Sequence, residues 1–384
     1  MTNTSRNLIP YLRSNGKYQL YNRSKNEFVS SMEYDEINLG YDGESYTVVQ
    51  NNKYGIMDAD GLQIIDCQYE FAEGFDKHGL AKVKINQKYG FINKSGELVI
   101  PAIYDAISHV IEGLASVKIN EKFKVLNTVT NVIGQKEFDS AFIFWKGMGC
   151  VEANGKYGII DKEENYIIPP MYDKIWDDKN NIFCVELNNS FFLVDALNKK
   201  ISDNFDLLVM SNDDAFQVHI NHNYGYIRNN GEVLIPLMYE DCTNFENNSA
   251  AVCLDGKWFL INQSNEVIHT LDKFGVSEVL ARIEDGLLIA KTHEGWGIID
   301  ATSGAPISDF VYESCYGVNE GLCGVKIGQW GIMNNSGDLI TDFRYFAIDN
   351  FQDGVACVEM KDEKFLKGKI KFYIDNKGFE YRDQ

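Results

Sequence analysis

The 384-residue chain has no uninterrupted apolar stretch near 18 residues, so it offers no candidate membrane-spanning helix. Met1 to Asn7 is polar and lacks the apolar core of a signal peptide, so a cytoplasmic location is expected. Positive charge is short: 36 Lys and Arg face 56 Asp and Glu, a net charge of −20. Nucleic-acid affinity rests on Lys and Arg displacing counterions, so DNA and RNA are excluded as expected partners. There is no Cys-x-x-Cys, His-Glu-x-x-His, Gly-x-Ser-x-Gly or phosphate-cradling glycine loop. Catalytic residues, cofactor and metal are therefore expected to be absent. His219 and His222 flank Asn221 without the further ligands a zinc site needs. The eight cysteines are irregularly spaced, and several fall at or beside small apolar slots, which suits buried free thiols better than a disulfide framework.

What the chain has in abundance is repetition. Near-copies of Asn86-Gln-Lys-Tyr-Gly-Phe-Ile92 recur about every 34 residues, anchored on Tyr18, Tyr54, Tyr89, Phe123, Tyr157, Phe191, Tyr224, Trp258, Trp296 and Trp330. An eleventh, degenerate copy spans Ile370 to Asp375. Ahead of most anchors lies a pair such as Asn86-Gln87, Asn154-Gly155 or Asp255-Gly256. Such pairs tolerate positive φ at both central positions of a two-residue type I′ hairpin loop. The predicted register sets Ile85 opposite Lys88, Lys84 opposite Tyr89, Val83 opposite Gly90 and Ala81 opposite Ile92. The glycine recurs as Gly55, Gly90, Gly158, Gly225, Gly297 and Gly331, although glycine inside a strand costs about 0.5–1 kcal/mol relative to alanine. Close packing against that backbone, by the valine or an aromatic of the adjacent repeat, is the expected reason.

A second turn such as Asn93-Lys-Ser-Gly96 follows, then a third strand expected to end at Pro101, Pro169 or Pro236. Each repeat closes on an aromatic and an acid, as in Tyr34-Asp35, Tyr69-Glu70, Tyr104-Asp105 and Phe138-Asp139. A row of carboxylates could take cations or a basic peptide. The preferred expectation is that each acid accepts backbone N–H bonds at a turn.

The string Lys-Tyr-Gly-Phe-Ile-Asn with its following Gly, Val-Ile-Pro, Tyr-Asp and Gly-Leu-Ala resembles the WG repeat, also called KWG, over residues 8 to 384. Trp296-Gly297 and Trp330-Gly331 match the name literally; Tyr54, Tyr89, Tyr157 and Tyr224 are aromatic replacements. Lys124, Phe192 and Phe259 depart in the glycine slot. The resemblance implies a binding or scaffolding repeat from a bacterial protein, without a common catalytic activity.

These readings predict an all-β chain, residues 1–384 forming one continuous array of about ten antiparallel repeats, with irregular segments at 272–286 and 361–369. No strand is reserved to latch the ends, so an open, curved superhelix is expected, with a closed propeller-like ring as the alternative. The expected function is a non-catalytic scaffold for another protein, of basic character given the charge. An immunity protein neutralising a basic bacterial toxin is the sharper version, and a carbohydrate-active or glycan-binding protein the competitor. Most aromatics sit at fixed repeat positions and are expected in the core between repeats. Trp145 and Trp176 lie off that frame and are the candidate partner-binding residues.

Overall fold

The computed structural model describes residues 7–29, 31–39, 45–58, 60–178, 181–210, 214–362 and 368–383. Among them, the regular elements are β-strands apart from one 3-10 turn at Asp272–Phe274. The strands form eleven small antiparallel sheets of three or four strands. The chain divides into two compact units, one running to Ile175 and including Tyr381 onward, the other Trp176–Glu380.

The third sheet shows why the repeat folds as it does. Its strands, in spatial order, are Phe71–Ala72, Ala81–Ile85, Lys88–Ile92 and Leu98–Tyr104. Asn86 and Gln87 take φ of 50° and 65°, the doubly left-handed geometry of a type I′ loop. The observed register pairs Ile85 with Lys88, Lys84 with Tyr89, Val83 with Gly90 and Ala81 with Ile92. Tips at Asn154-Gly155 and Asp255-Gly256 have the same form. At the next turn, Asn93 Oδ1 accepts from the N–H groups of Ser95 and Glu97, both at 3.0 Å, while Gly96 takes φ of 80°. Asparagine there supplies in its side chain the acceptor the turn needs.

No sheet encloses its own core. Ile56, Ile65 and Tyr69 of the second sheet pack with Ala72, Phe75, Ala81, Val83 and Ile92 of the third. Phe91, Ile100 and Tyr104 of the third pack with Ile107, Val110, Ala115, Val117 and Leu126 of the fourth. In the other compact unit, Tyr226, Ile235 and Tyr239 meet Cys242, Phe245, Ala250, Val252 and Ile261 in the same way. Burying a side chain such as Ile92 contributes about 1.5–3 kcal/mol, and only the neighbouring sheet supplies the cover. Tyr34, Tyr104 and Phe138 of the aromatic–acid pairs are fully buried, whereas the anchors Tyr54 and Tyr89 sit half-buried at the core's margin.

Three expectations need correction. First, the third strand does not end at proline: it runs through Pro101 to Tyr104, and likewise through Pro169 and Pro236. Tyr89 faces Tyr104 and Phe91 faces Ile100, so Gly90 alone opposes the three residues from Pro101 to Ile103. This is a bulge on an edge strand, where a missing N–H breaks no ladder bond. Where the repeat has a hydroxyl at this position, it accepts from the strand that follows the hairpin tip: Ser202 Oγ from Leu193 N at 2.8 Å, Ser308 Oγ from Ile298 N at 3.0 Å, Thr341 Oγ1 from Ile332 N at 3.1 Å.

Second, the neighbour that requires the glycine is this bulge and not the adjacent repeat. A Cβ on Gly90 would lie 2.5 Å from Ile100 O and 2.8 Å from Ala102 N. Gly55, Gly158 and Gly225 meet the same backbone. At Gly297 and Gly331 the ring edge of Phe310 or Phe343, from the same repeat, fills the space.

Third, the array is not open. The first sheet lacks the leading strand that most of its successors have, which leaves the Leu8–Leu12 edge unpaired within the sheet. The chain's last residues take that edge. Leu12 bridges Arg382 in parallel, Asp383 N–H donates to Leu12 O at 2.8 Å, and Tyr11 OH donates to Arg382 O at 2.9 Å. Asp383 Oδ2 receives Arg13 Nε at 3.0 Å and Ser14 N at 2.9 Å. The series of sheets therefore closes end to start, as in the alternative expectation.

Of the irregular segments, 272–286 holds the 3-10 turn and then the strand Glu278–Glu284. In 361–369, Lys361 pairs with Lys369, while residues 363–367 lie outside the described residues.

Candidate functional site

The repeated acids are the most regular polar feature of the chain, and the structure shows where they are spent. Six of them accept from a backbone N–H at the hairpin tip of the following repeat: Asp35 from Asn51 at 2.8 Å, Glu70 from Gln87 at 3.0 Å, Asp139 from Gly155 at 3.2 Å, Asp206 from Asn221 at 3.0 Å, Glu240 from Gly256 at 3.0 Å, and Glu313 from Gly328 at 3.0 Å. Several also hold the lysine that precedes their own anchor: Lys17 with Asp35, Lys88 with Asp105, Lys122 with Asp139 and Lys156 with Asp173. The lysine first and the hairpin N–H second hold the Asp35 and Asp139 carboxyls below the usual aspartate range. The row of carboxylates thus staples one repeat to the next.

The residues singled out in the sequence have different surroundings. Tyr54-Gly55, Tyr89-Gly90, Tyr157-Gly158, Tyr224-Gly225, Trp296-Gly297 and Trp330-Gly331 lie in the strand that follows each hairpin tip. Trp145 stands at the tip of its strand opposite Met148 and is 55% exposed. Trp176, 39% exposed, lies with its ring 5.5 Å from that of Phe191. His219 and His222 are 6.1 Å apart, with His219 against Tyr224 at 4.5 Å. Among the described residues, no group of three or more His, Cys, Asp or Glu is placed to hold a metal. No helix there is long and apolar enough to cross a membrane. Of the cysteines, Cys184, Cys242, Cys253, Cys315 and Cys323 are buried; Cys150, expected in the interior, is exposed.

A cleft of about 430 Å³ in the Trp176–Glu380 unit was not foreseen as a site. Its walls are the leading strands of three successive sheets: Leu207 and Val209, then Asp241 and Cys242, then Ala281 to Glu284, with Gln217, Tyr224, Asn244 and Glu246. The irregular segment 272–286 supplies the third wall. Between Val279 and Ile283 its strand leaves the ladder, and Asn244 pins the excursion: Asn244 N–H donates to Ala281 O at 3.3 Å and Asn244 Oδ1 accepts from Ile283 N at 3.2 Å. Three acids, Asp241, Glu246 and Glu284, face one base, Arg282. Asp241 remains open to solvent, but the groove around it, with Glu278 adding its field, pushes its carboxyl up from the usual range.

The sequence profile of the WG containing repeat matches residues 54–89, 89–123, 157–190, 224–258, 296–329 and 330–365, together more than half of the chain. Each match begins at an aromatic–glycine pair; the repeats anchored on Phe123, Phe191 and Trp258, which lack the glycine, begin none. No curated protein matches the chain. Among solved structures, a eukaryotic initiation factor is similar at 11% identity and a TM-score of 0.43, over 97% of this chain and 94% of that one. Hsv2p of Kluyveromyces lactis is similar at 9% identity and a TM-score of 0.35, over 69% and 94%. The dihydro-heme d1 dehydrogenase NirN follows at 12% and 0.32, over 79% and 72%. With six profile matches placed on the hairpins and bulges described above, the chain belongs to the WG-repeat family.

Proposed function

We propose that this WG-repeat protein is a non-catalytic scaffold that binds another protein of basic character. The observation that carries the reading is the use of the repeated acids. They hold hairpin tips and lysines of their own array, so the recurring motif serves assembly, and recognition falls to positions off the motif. A net charge of −20 favours a positively charged partner through long-range steering. The narrower form, an immunity protein that occludes a basic toxin, draws on the same charge.

The test is affinity capture from the native host, followed by isothermal titration with the captured protein at 50 and 300 mM salt. One stoichiometric basic partner, bound at least tenfold more weakly at the higher salt, supports the reading. Captured proteins that are acidic, or binding indifferent to salt, overturn the electrostatic part. Hydrolysis of a glycan by the purified chain overturns the non-catalytic part.

A further inference from the structure

Resting on that scaffold reading, we propose that the cleft walled by Leu207, Asp241 and Arg282 is the socket for a lysine or arginine side chain of the bound protein. The hydrogen-bond inventory of the cleft leads there. Gln217 is 93% buried, with 7% of its surface exposed, and its Nε2 donates to Cys242 O at 3.1 Å. A carbonyl oxygen only accepts, which fixes the nitrogen at that end of the amide. The Gln217 carbonyl oxygen is left at the cleft with no partner among the described residues. Asp241 Oδ1 accepts from the N–H of Cys242 at 2.8 Å, and its second oxygen has no hydrogen-bond partner there. The Glu284 carboxylate has none either.

Apart from the exposed Arg282, the unspent charged and amide groups of the cleft are thus acceptors, and the lining carries a net charge of −2 from three acids and one arginine. An anionic or acceptor-rich ligand would leave them unmet. A group that brings both positive charge and several N–H donors meets them, and among protein side chains those are guanidinium and ammonium. Leu207, Val209 and Tyr224 give the alkyl stem an apolar wall, and the Tyr224 ring adds a cation–π face. The volume of about 430 Å³ lies at the small end of ligand-binding clefts and suits one inserted side chain. Asn244 holds the third wall from behind, so the socket is formed before the partner arrives.

The probe is acetyl-Gly-Arg-Gly-amide, followed by saturation-transfer NMR on the full chain, with the citrulline peptide as neutral isostere and free arginine as a small-molecule arm. The arginine peptide should bind, and the citrulline peptide should bind at least tenfold more weakly. Combining Asp241→Asn with Glu284→Gln should weaken the arginine peptide at least tenfold. Combining Glu97→Gln with Glu163→Gln, which removes the same charge in the other compact unit, should leave it unchanged. Ala281→Trp fills the cleft from an exposed position and should abolish binding with the acids in place.

Equal weakening by the two pairs, or citrulline bound as well as arginine, would overturn the socket. Free arginine bound tenfold more tightly than the peptide would assign the cleft to a small molecule and overturn the protein side chain as its occupant. A captured partner that holds wild-type and Ala281→Trp protein equally overturns the socket and leaves the scaffold standing. Peptide binding through the cleft by a chain that captures no protein overturns the scaffold reading instead.

Discussion

Asp35 accepts a hydrogen bond at 2.8 Å from the backbone N–H of Asn51, across a sequence separation of 16 residues, and so ties the end of the first repeat to the hairpin tip of the second. Its other oxygen holds Lys17. A hydrogen bond to a charged group is worth about 1.5–3 kcal/mol, and exposure of both partners reduces this to about 1 kcal/mol. Asp35→Ala should lower stability by about that amount, read as the shift of the urea midpoint. Asp35→Asn keeps an acceptor for Asn51 and loses only the charge on Lys17, so it should fall between wild type and alanine. An alanine variant as stable as wild type would show that the contact does not staple the repeats.

Acid should act through the same carboxylates. The folded-state values of Asp35 and Asp139 lie below the ordinary 3.8 because the ionised forms are bonded. Stabilisation from a depressed carboxyl is complete above the unfolded value and is lost as pH falls through the folded one. The melting temperature should therefore be flat with respect to these two groups from pH 7 to about 5 and decline below about 4. With Asp35→Asn and Asp139→Asn combined, the decline below pH 4 should be shallower. An unchanged slope would remove these groups from the acid response.

Within one repeat, two glycines separate steric from conformational cost. Gly158 has ordinary backbone angles, but a Cβ there would lie 2.6 Å from Ile168 O and 2.7 Å from Pro170 N. Gly155, at φ of 71°, has open space around it. Gly155→Ala should cost about 1 kcal/mol from left-handed strain alone. Gly158→Ala forces the bulge off the middle strand and should cost about 1–3 kcal/mol, the range for overpacking. Denaturant titration of the pair checks the order, and the reverse order would mean that the bulge moves freely.

These comparisons show which parts of the fold are legible in a sequence. Hairpin tips are local: Asn86-Gln87 fixes two positive φ angles, the loop length fixes the register, and the Val83–Gly90 pairing follows. The bulge is less legible because Pro101 reads as a strand end unless its place on an edge is known. Closure is not legible at all, since Arg382 and Asp383 repeat nothing and take their place only because the Leu8–Leu12 edge is vacant within its sheet. The cleft combines Leu207, Asp241 and Arg282 from three repeats, and the one trace of it in the sequence is the lengthened spacing at 272–286.

Thiol chemistry should sort the cysteines by burial. Burial pushes Cys184, Cys242 and Cys323 up to about 12, where the thiolate that reacts is scarce at neutral pH. Cys150 is exposed. An aromatic disulfide reagent at pH 8 should label Cys150 within minutes in the native protein and reach Cys184, Cys242 and Cys323 only on unfolding, which peptide mass mapping would resolve. Rapid native labelling of Cys242 would mean that the strand at the cleft wall opens readily.

The end-to-start closure rests on very few residues, so its removal is a sharp test. Truncation after Glu380 deletes Tyr381, which is 3% exposed, and Asp383, which joins Arg13 and Ser14. The lost contacts are a buried aromatic worth about 1.5–3 kcal/mol and charge-assisted hydrogen bonds worth about 1 kcal/mol after screening. The remaining sheets keep their own hairpins and inter-sheet cores, so the loss should appear first as local opening. Hydrogen exchange should speed up at least tenfold across Leu8–Leu12 and Tyr18–Asn22, while amides of Lys88–Ile92 change little. Arg13→Ala should reproduce a weaker form of the same pattern, because it removes the partner of Asp383 and leaves Tyr381 in place. Uniform acceleration across all the sheets would instead mean that the few tail residues govern the cooperativity of the whole series, and unchanged exchange at Leu8–Leu12 would mean that the tail does not hold the edge in solution.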